Sequence, residues 1–102
     1  MASKRIATIL AALGLATATG ASAQITIGVD LSTTGPAAAI GIQSNNAIRL
    51  WPDTLGGQPA RYVVLDDGSD VTRAVRNMRK LTSEDRVDAI VGPNLTASAP
   101  AA

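Results

Sequence analysis

Hydrophobic and polar residues follow two different periods along residues 24–102, and the shorter period marks strands. Apolar residues occupy every second position in QITIGVDL, which predicts a first strand over residues 24–31. Nearly continuous apolar runs predict a second strand in RYVVLD, residues 61–66, and a third in VDAIV, residues 87–91. Such runs are typical of strands in a sheet that is covered on both faces.

The longer period places apolar residues three and four positions apart and predicts helices over residues 37–51 and 71–83. Gly35-Pro36 is expected to begin the first helix, with proline at its first position. Asp67–Asp70 is expected to close the second strand and cap the second helix. A third helix is expected to begin near Leu95. The order β-α-β-α-β predicts an α/β fold in which helical crossovers join parallel strands.

The N-terminus has the three parts of a secretory signal peptide. Lys4 and Arg5 precede an uncharged apolar stretch at residues 6–16, and Ala21-Ser22-Ala23 forms a small-residue cleavage signal. The apolar stretch is too short to span a membrane. We therefore expect residues 1–23 to be removed and a soluble product to reach a bacterial periplasm.

Composition narrows the function of the remaining residues 24–102. The chain has nine Lys and Arg against eight Asp and Glu, and removal of two basic residues with the signal peptide leaves a net charge of −1. This balance gives no reason to expect a nucleic-acid partner. The chain contains no Cys, which excludes disulfides and a lipid anchor on a thiol, and no His. Without these residues we expect neither an enzyme nor a metal or other cofactor.

Two segments are similar to ligand-binding motifs but lack residues that those motifs require. The glycines in GVDLSTTGPAAAIG do not form G-x-G-x-x-G, and no Gly-Lys-Ser/Thr follows, so a phosphate-binding loop is not expected. Asp66, Asp67 and Asp70 suggest a Ca²⁺ site, but they lack the alternating oxygen ligands and closing Glu of an EF-hand. A strand-end turn followed by a helix cap is the favoured interpretation of these carboxylates.

Position in the predicted fold indicates a different kind of site. Ligands of open parallel sheets bind outside the carboxyl ends of the strands, where residues 34–40 and 93–98 are expected to lie. The first backbone amides of the third helix, with the hydroxyls of Thr96 and Ser98, are suited to hold a carboxylate. Plain helix caps use the same residue types and remain an alternative. Asn94-Leu95-Thr96 also matches a glycosylation acceptor, which a bacterial signal peptide disfavours.

Four segments in order, ITIGVDLSTTGPAAAIG, YVVLDDGSD, AVRNMRKL and VDAIVGP, resemble the start of the periplasmic leucine/isoleucine/valine-binding-protein family. These are substrate-binding proteins of ABC transporters with a type I periplasmic binding fold. The resemblance implies that residues 24–102 begin lobe 1, a Rossmann-like parallel-sheet lobe. It also implies a small ligand, an amino acid or related amide or carboxylate, and an ABC permease in the inner membrane as partner.

The resemblance also implies ligand-binding residues. Ile40 matches the position that contacts the hydrophobic part of the ligand, while Thr96 and Ala97, with Ser98 adjacent, match the loop that grips its carboxylate. Members of the family are several times longer than this chain, so we expect an incomplete N-terminal fragment that is unable to bind ligand effectively by itself. The alternatives are a small exported interaction module that pairs through its sheet edges, and a truncated product without function.

Overall fold

The computed structural model describes residues 23–102, so the predicted signal peptide lies outside the described residues except for Ala23. The described chain forms a four-stranded sheet with two α-helices, which confirms the predicted α/β fold. Its elements in order are β1 (Ile25–Leu31), α1 (Ala38–Ile48), β2 (Thr54–Leu55), β3 (Gln58–Asp66), α2 (Val71–Arg79) and β4 (Ala89–Val91).

Strand β1 lies in the middle of the sheet, whose order is β2-β3-β1-β4. It pairs in parallel with β3 along its whole length, from Ile25 opposite Ala60 to Leu31 opposite Asp66. It pairs in parallel with β4 over three residues only, and β2 is antiparallel to β3. Because β1, β3 and β4 run in the same direction, the loops that follow them leave from one edge of the sheet.

Helix α1 covers one face of the sheet and completes the main hydrophobic core. Ile48 of this helix packs with Val29 and Leu31, which point to the same face because side chains of a strand alternate. Trp51 and Tyr62 extend the cluster with their rings in edge-to-face contact, their centroids 5.3 Å apart. The side chains of these residues remove apolar surface from water on this face, which stabilises the fold.

Helix α2 and the residues after it cover the opposite face. Leu81 is fully buried and lies over Gly28, where an added Cβ would meet its side chain at 2.9 Å. Ala74 is also fully buried. The chain continues from α2 as a short π-helix over Lys80–Glu84. The apolar stripe predicted for the second helix therefore does face the sheet, although the α-helix itself is shorter than predicted.

The structure differs from the prediction between the first helix and the second strand. The segment between the predicted helix and strand contains β2, which forms a hairpin with β3, and β3 begins three residues earlier than expected. Gly56 and Gly57 both have positive φ, 55° and 78°, as a two-residue hairpin turn requires. Strand β2 has two residues, too few to produce a detectable alternation of apolar and polar positions.

Helix ends also differ from the prediction. Pro36 and Ala37 lie in a turn, and α1 begins at Ala38 and ends three residues before the expected position. The N–H groups of Leu50 and Trp51 bond to carbonyls three residues earlier, which tightens the chain into turns before Pro52. The third helix expected near Leu95 is not an α-helix. Residues 95–98 form turns, followed by a 3₁₀-helix over Ala99–Ala101.

Candidate functional site

Three loops meet at the edge where the parallel strands end. We call residues 32–37, after β1, the first loop; residues 67–70, after β3, the second loop; and residues 92–98, after β4, the third loop. The predicted ligand residues lie on the third loop and at the start of helix α1, which follows the first loop. The hydrogen bonds between the loops decide how firmly these residues are held.

The first and second loops are joined by the side chains of two second-loop residues. The Ser69 hydroxyl accepts the N–H of Ala37 at 3.0 Å and donates to the carbonyl of Thr34 at 2.8 Å. Oδ1 of Asp67 accepts the Ser32 hydroxyl and the Ser69 N–H. These bonds satisfy polar groups that the end of β1 leaves without strand partners, and they fix the path of the first loop.

Asp66, the last residue of β3, makes the largest number of bonds to the first loop. Its Oδ1 accepts the N–H groups of Thr33 at 2.9 Å, Thr34 at 3.2 Å and Gly68 at 2.9 Å. Its Oδ2 accepts the Thr34 hydroxyl at 2.6 Å. Partial burial acts to raise the pKa of this carboxyl, but the hydrogen bonds outweigh it and lower the pKa to about 2.

Gly41 allows helix α1 to lie directly on the start of the first loop. A Cβ at this position would come within 1.8 Å of the Ser32 carbonyl oxygen, far closer than two such atoms can approach. The preceding residue, Ile40, keeps 56% of its surface exposed. The close approach at Gly41 therefore sets where the predicted ligand-contacting side chain emerges from the sheet edge.

The third loop is tied to the end of β1 at two points. Oδ1 of Asn94 accepts the N–H of Ser32 at 3.0 Å. Gly92 has a φ of 110°, and an added Cβ would lie 2.2 Å from the carbonyl oxygen of Asp30. Only glycine allows the chain to leave β4 by this route, and the route brings the third loop beside the first.

The predicted carboxylate-binding residues of the third loop fall into two groups. Thr96 and Ala97 are exposed, whereas Ser98 is fully buried and its hydroxyl has no hydrogen-bond partner within residues 23–102. The N–H groups of Ser98 and Ala99 both bond to the Leu95 carbonyl. The N–H groups of Thr96 and Ala97 donate no bond within the described part of the chain. Two adjacent amides on exposed residues are therefore free to bind an acceptor, whereas the Ser98 hydroxyl is unpaired within the described residues but enclosed.

Asp30 is a polar residue of this edge that the sequence pattern did not single out. It is fully buried in the middle strand, and its Oδ1 accepts the Asn77 side-chain amide at 2.6 Å. Its Oδ2 has no partner within the same residues. Burial raises the pKa of Asp30 to about 6, against the effect of Asn77 and with the help of the nearby charge of Asp67. An Asp within an otherwise apolar strand was the signal that could have identified it.

The second loop has the structure that its turn chemistry predicted. Asp70 caps α2 by accepting the N–H of Arg73 at 2.7 Å, and Gly68 has a positive φ. Within residues 23–102, no group of three or more Asp, Glu, His or Cys side chains is arranged to hold a metal ion. In the same part of the chain, no helix has the length and hydrophobicity needed to cross a membrane.

Comparisons with known proteins identify the family to which this fold belongs. No curated protein matches the chain. Among solved structures, an extracellular ligand-binding receptor from Rhodopseudomonas palustris HaA2 is 42% identical, with a TM-score of 0.75 over 78% of this chain and 22% of the receptor. The leucine-binding protein LivK from Thermotoga maritima is 28% identical, with a TM-score of 0.72 over 76% of this chain and 23% of that protein.

A third solved structure includes a ligand. It is the solute-binding protein of an ABC transporter from Rhodopseudomonas palustris BisB5 in complex with 3,4-dihydroxybenzoic acid, 29% identical, with a TM-score of 0.72. The match covers 76% of this chain and 23% of that protein. This chain thus spans less than a quarter of the length of these receptors. A family model described as periplasmic binding protein matches residues 24–102. The chain belongs to the periplasmic binding protein family.

Proposed function

We propose that this chain provides part of the ligand site of an ABC-transporter substrate-binding protein, and that the ligand is a small carboxylate such as an amino acid. The observation that carries the proposal is the pair of free amides at Thr96 and Ala97, next to the Thr96 hydroxyl, at the carboxyl edge of a parallel sheet. Donors of this kind bind carboxylates strongly because each bond is made to a charged acceptor.

The relatives support a carboxylate ligand without deciding which one. Leucine, in the name of one relative, and 3,4-dihydroxybenzoic acid, bound to another, share a carboxylate and differ in the rest of the molecule. Ile40 is exposed beside the first loop and is suited to contact an apolar portion of the ligand. Ser98, buried below the exposed Thr96 and Ala97, supports the loop and reaches a ligand only if the loop opens.

The setting of this function follows from the family and the predicted signal peptide. The receptor acts in the periplasm, delivers its ligand to an ABC permease in the inner membrane and catalyses no reaction. The chain covers 22% of the receptor from strain HaA2, so the loops described above supply only part of a ligand's contacts. We therefore expect dissociation constants on the order of 1 mM, equivalent to about 4 kcal/mol of binding free energy.

NMR titration of the purified exported chain tests this proposal. We expect leucine and 3,4-dihydroxybenzoate to shift the amide signals of Thr96 and Ala97, and leucinamide, which lacks the carboxylate, to leave them unchanged. Thr96→Val keeps the shape of the side chain and removes the hydroxyl, and is expected to weaken the response to both acids. Equal responses to leucine and leucinamide, or none to either acid, would contradict a carboxylate site in the third loop.

A second candidate function is an interaction module that pairs through the outer strand of its sheet, and one observation favours it. Strand β4 is an outer strand, and Val91 in it retains 45% of its surface exposed. Edges of this kind pair with further strands. Light scattering on the exported chain and on Val91→Lys distinguishes the two: a defined oligomer that Val91→Lys dissociates supports pairing, and a monomer at all concentrations excludes it.

A further inference from the structure

The carboxylate of Asp66 is bound in the way that proteins bind free anions. Three backbone N–H groups point at its Oδ1, and two of them come from consecutive first-loop residues, Thr33 and Thr34. A hydroxyl from Thr34 completes the shell at Oδ2. Successive N–H groups that converge on one point form an anion-binding concavity in many proteins. In this chain, a side chain of the protein itself fills that concavity.

We propose that Asp66 is a positioning residue that acts as a built-in anion: it fills the amide pocket after β1, shapes the first loop, and directs a ligand's carboxylate to the third loop. The directing of a ligand's carboxylate to the third loop rests on the function proposed above. Asp66 makes no contact with the ligand in this proposal. It acts through Thr33 and Thr34, whose amides it occupies.

The distribution of charge at the sheet edge supports the directing role. No charged residue occurs in residues 31–48 or 92–102, which include the first and third loops. The negative charges of this edge come from Asp30, Asp66, Asp67 and Asp70. An approaching carboxylate is repelled by the carboxylates beside the second loop, where the guanidinium of Arg73 lies next to Gly68 and offsets part of their charge. The third loop carries no charged residue and offers two adjacent unoccupied amides, at Thr96 and Ala97. The two loops therefore differ as anion sites, although both offer backbone donors.

A simpler interpretation is that Asp66 only closes a strand-end turn. The bond to Gly68, two residues later, is such a local contact, but the three bonds from Thr33 and Thr34 cross 32 or 33 residues of sequence. The two interpretations make different predictions for a chain that lacks this side chain. A pocket built for an anion will accept one from solution, whereas a turn that has lost its side chain will not.

Chemical rescue of Asp66→Ala with sodium acetate provides the test, using the exported chain and sodium chloride at equal ionic strength as the reference. We expect acetate to shift the amide signals of Thr33, Thr34 and Gly68 in Asp66→Ala and to raise its melting temperature by about 4–8 °C. In the natural chain, in which the pocket is filled, we expect no shift at Thr33, Thr34 or Gly68, and only the smaller rise in melting temperature that acetate bound at the third loop produces. Absence of the shift and of the rescue in a folded Asp66→Ala would overturn the proposal.

Two control variants separate an anion pocket from a general effect of lost charge. Asp70→Ala removes a carboxylate that accepts one N–H bond, from Arg73, and we expect acetate to leave the amide signals of the Asp66 pocket unchanged. Asp66→Asn keeps an oxygen where Oδ1 stands, so we expect a folded protein whose Thr33, Thr34 and Gly68 signals acetate does not shift. If Asp66→Ala is unfolded in chloride, acetate is expected to restore its circular dichroism spectrum. An Asp66→Ala chain that stays unfolded in acetate while Asp66→Asn folds would also overturn the proposal.

The amide signals of the natural chain test whether Asp66 directs a ligand's carboxylate to the third loop. When leucine is added to the natural chain, we expect the signals of Thr96 and Ala97 to move and those of Thr33 and Thr34 to stay in place. Movement of the Thr33 and Thr34 signals would overturn the directing role. If no carboxylate moves any signal of the natural chain, the proposed function fails, whereas acetate rescue of Asp66→Ala would still establish the pocket that Asp66 fills.

Discussion

The first and third loops lie side by side at one edge of the sheet, yet they are held very differently. Four polar groups of the first loop bond to Asp66 or Asp67, and Ser69 adds bonds at Thr34 and Ala37. Within the described residues, the third loop is joined to the rest of the protein by one side-chain hydrogen bond, from the Ser32 N–H to Asn94. One half of the candidate site is thus fixed by the residues described, and the other half is held lightly.

The same contrast appears in the strands that carry these loops. Strand β3 pairs with β1 over the full length of β1, whereas β4 pairs with it over three residues. Backbone groups paired in a long ladder open less readily than those at a short outer strand. The free amides of the third loop and its light attachment have the same cause. An N–H group that is left free for a ligand makes no hydrogen bond that would anchor its own loop.

Replacing Gly41 is expected to have the largest effect, because Gly41 contacts the first loop, which is the firmly held one. Helix propensity alone predicts that Gly41→Ala stabilises the protein by about 1 kcal/mol. The added Cβ would lie 1.8 Å from the Ser32 carbonyl oxygen, so we expect a loss of about 3 kcal/mol instead. The opposite signs make the experiment decisive, with urea unfolding of residues 24–102 as the measurement.

A matched substitution on the same helix isolates the contact at Gly41. Asn46 is exposed on α1, and Asn46→Ala is expected to stabilise the protein by a few tenths of a kcal/mol through propensity alone. A stabilising Gly41→Ala would show that the helix does not need to approach the first loop closely. The first loop would then be no more constrained than the third.

Much of the fold could be predicted because it depends on local pattern. A period of two residues identified β1, nearly continuous apolar runs identified β3 and β4, and spacings of three and four residues identified α1 and α2. The residues of the second loop predicted the cap at Asp70. The β2 hairpin was missed because two residues cannot show a period. The prediction of an α-helix near Leu95 was wrong. An Ala- and Pro-rich segment has no clear period of apolar and polar residues, so its sequence does not indicate where a turn continues into a helix.

The candidate site was less predictable because its contacts cross the sequence. Position in a parallel sheet indicated that the loops after the first and third predicted strands share an edge, and the resemblance supplied Ile40, Thr96, Ala97 and Ser98. Neither indicated that Asp66 reaches back across 33 residues to Thr33, or that Gly41 touches Ser32. Those contacts depend on the register between β1 and β3 and on the packing of α1, which a period does not specify.

Asp30→Asn is expected to have the next largest effect, with the opposite sign. A pKa near 6 in the folded chain, against 3.8 for the free residue, means that folding takes up a proton between these pH values. The contribution of Asp30 to stability is therefore fully present below pH 3.8 and is lost as pH rises through 6. Asp30→Asn removes this loss, so we expect a gain of about 2–3 kcal/mol at pH 7 that disappears near pH 4.

Urea unfolding of both chains between pH 4 and pH 8 measures this gain. The amide introduced by Asp30→Asn would keep the bond from Asn77 and offer a new N–H to Asp67, whose Oδ2 has no partner among the described residues. Asp53→Asn is the control, since Asp53 is exposed and its substitution changes the net charge equally. A gain independent of pH, or one shared by Asp53→Asn, would show that burial does not raise the pKa of Asp30 in the folded chain.

Asn94→Leu removes the side-chain hydrogen bond that joins the lightly held third loop to the end of β1. It leaves the Ser32 N–H without its acceptor, at a cost of about 1 kcal/mol. Hydrogen exchange is the informative measurement, because the Ser32 amide should exchange on the order of 10-fold faster at that cost, while the Gly28 amide changes only as much as the whole protein does. Equal acceleration at both amides would mean that the third loop is not a separate, lightly attached unit.

The smallest effect is expected for Ser98→Ala, and comparing it with Ser32→Ala is the most specific test, because both serines are fully buried. The Ser32 hydroxyl bonds to Asp67, whereas the Ser98 hydroxyl has no partner within the described residues. We expect Ser32→Ala to cost about 1–2 kcal/mol, since it removes a bond to a charged group, and Ser98→Ala to lie within about 0.5 kcal/mol of the natural chain. Urea unfolding of the two variants measures the difference, and equal losses would show that the two loops are held alike.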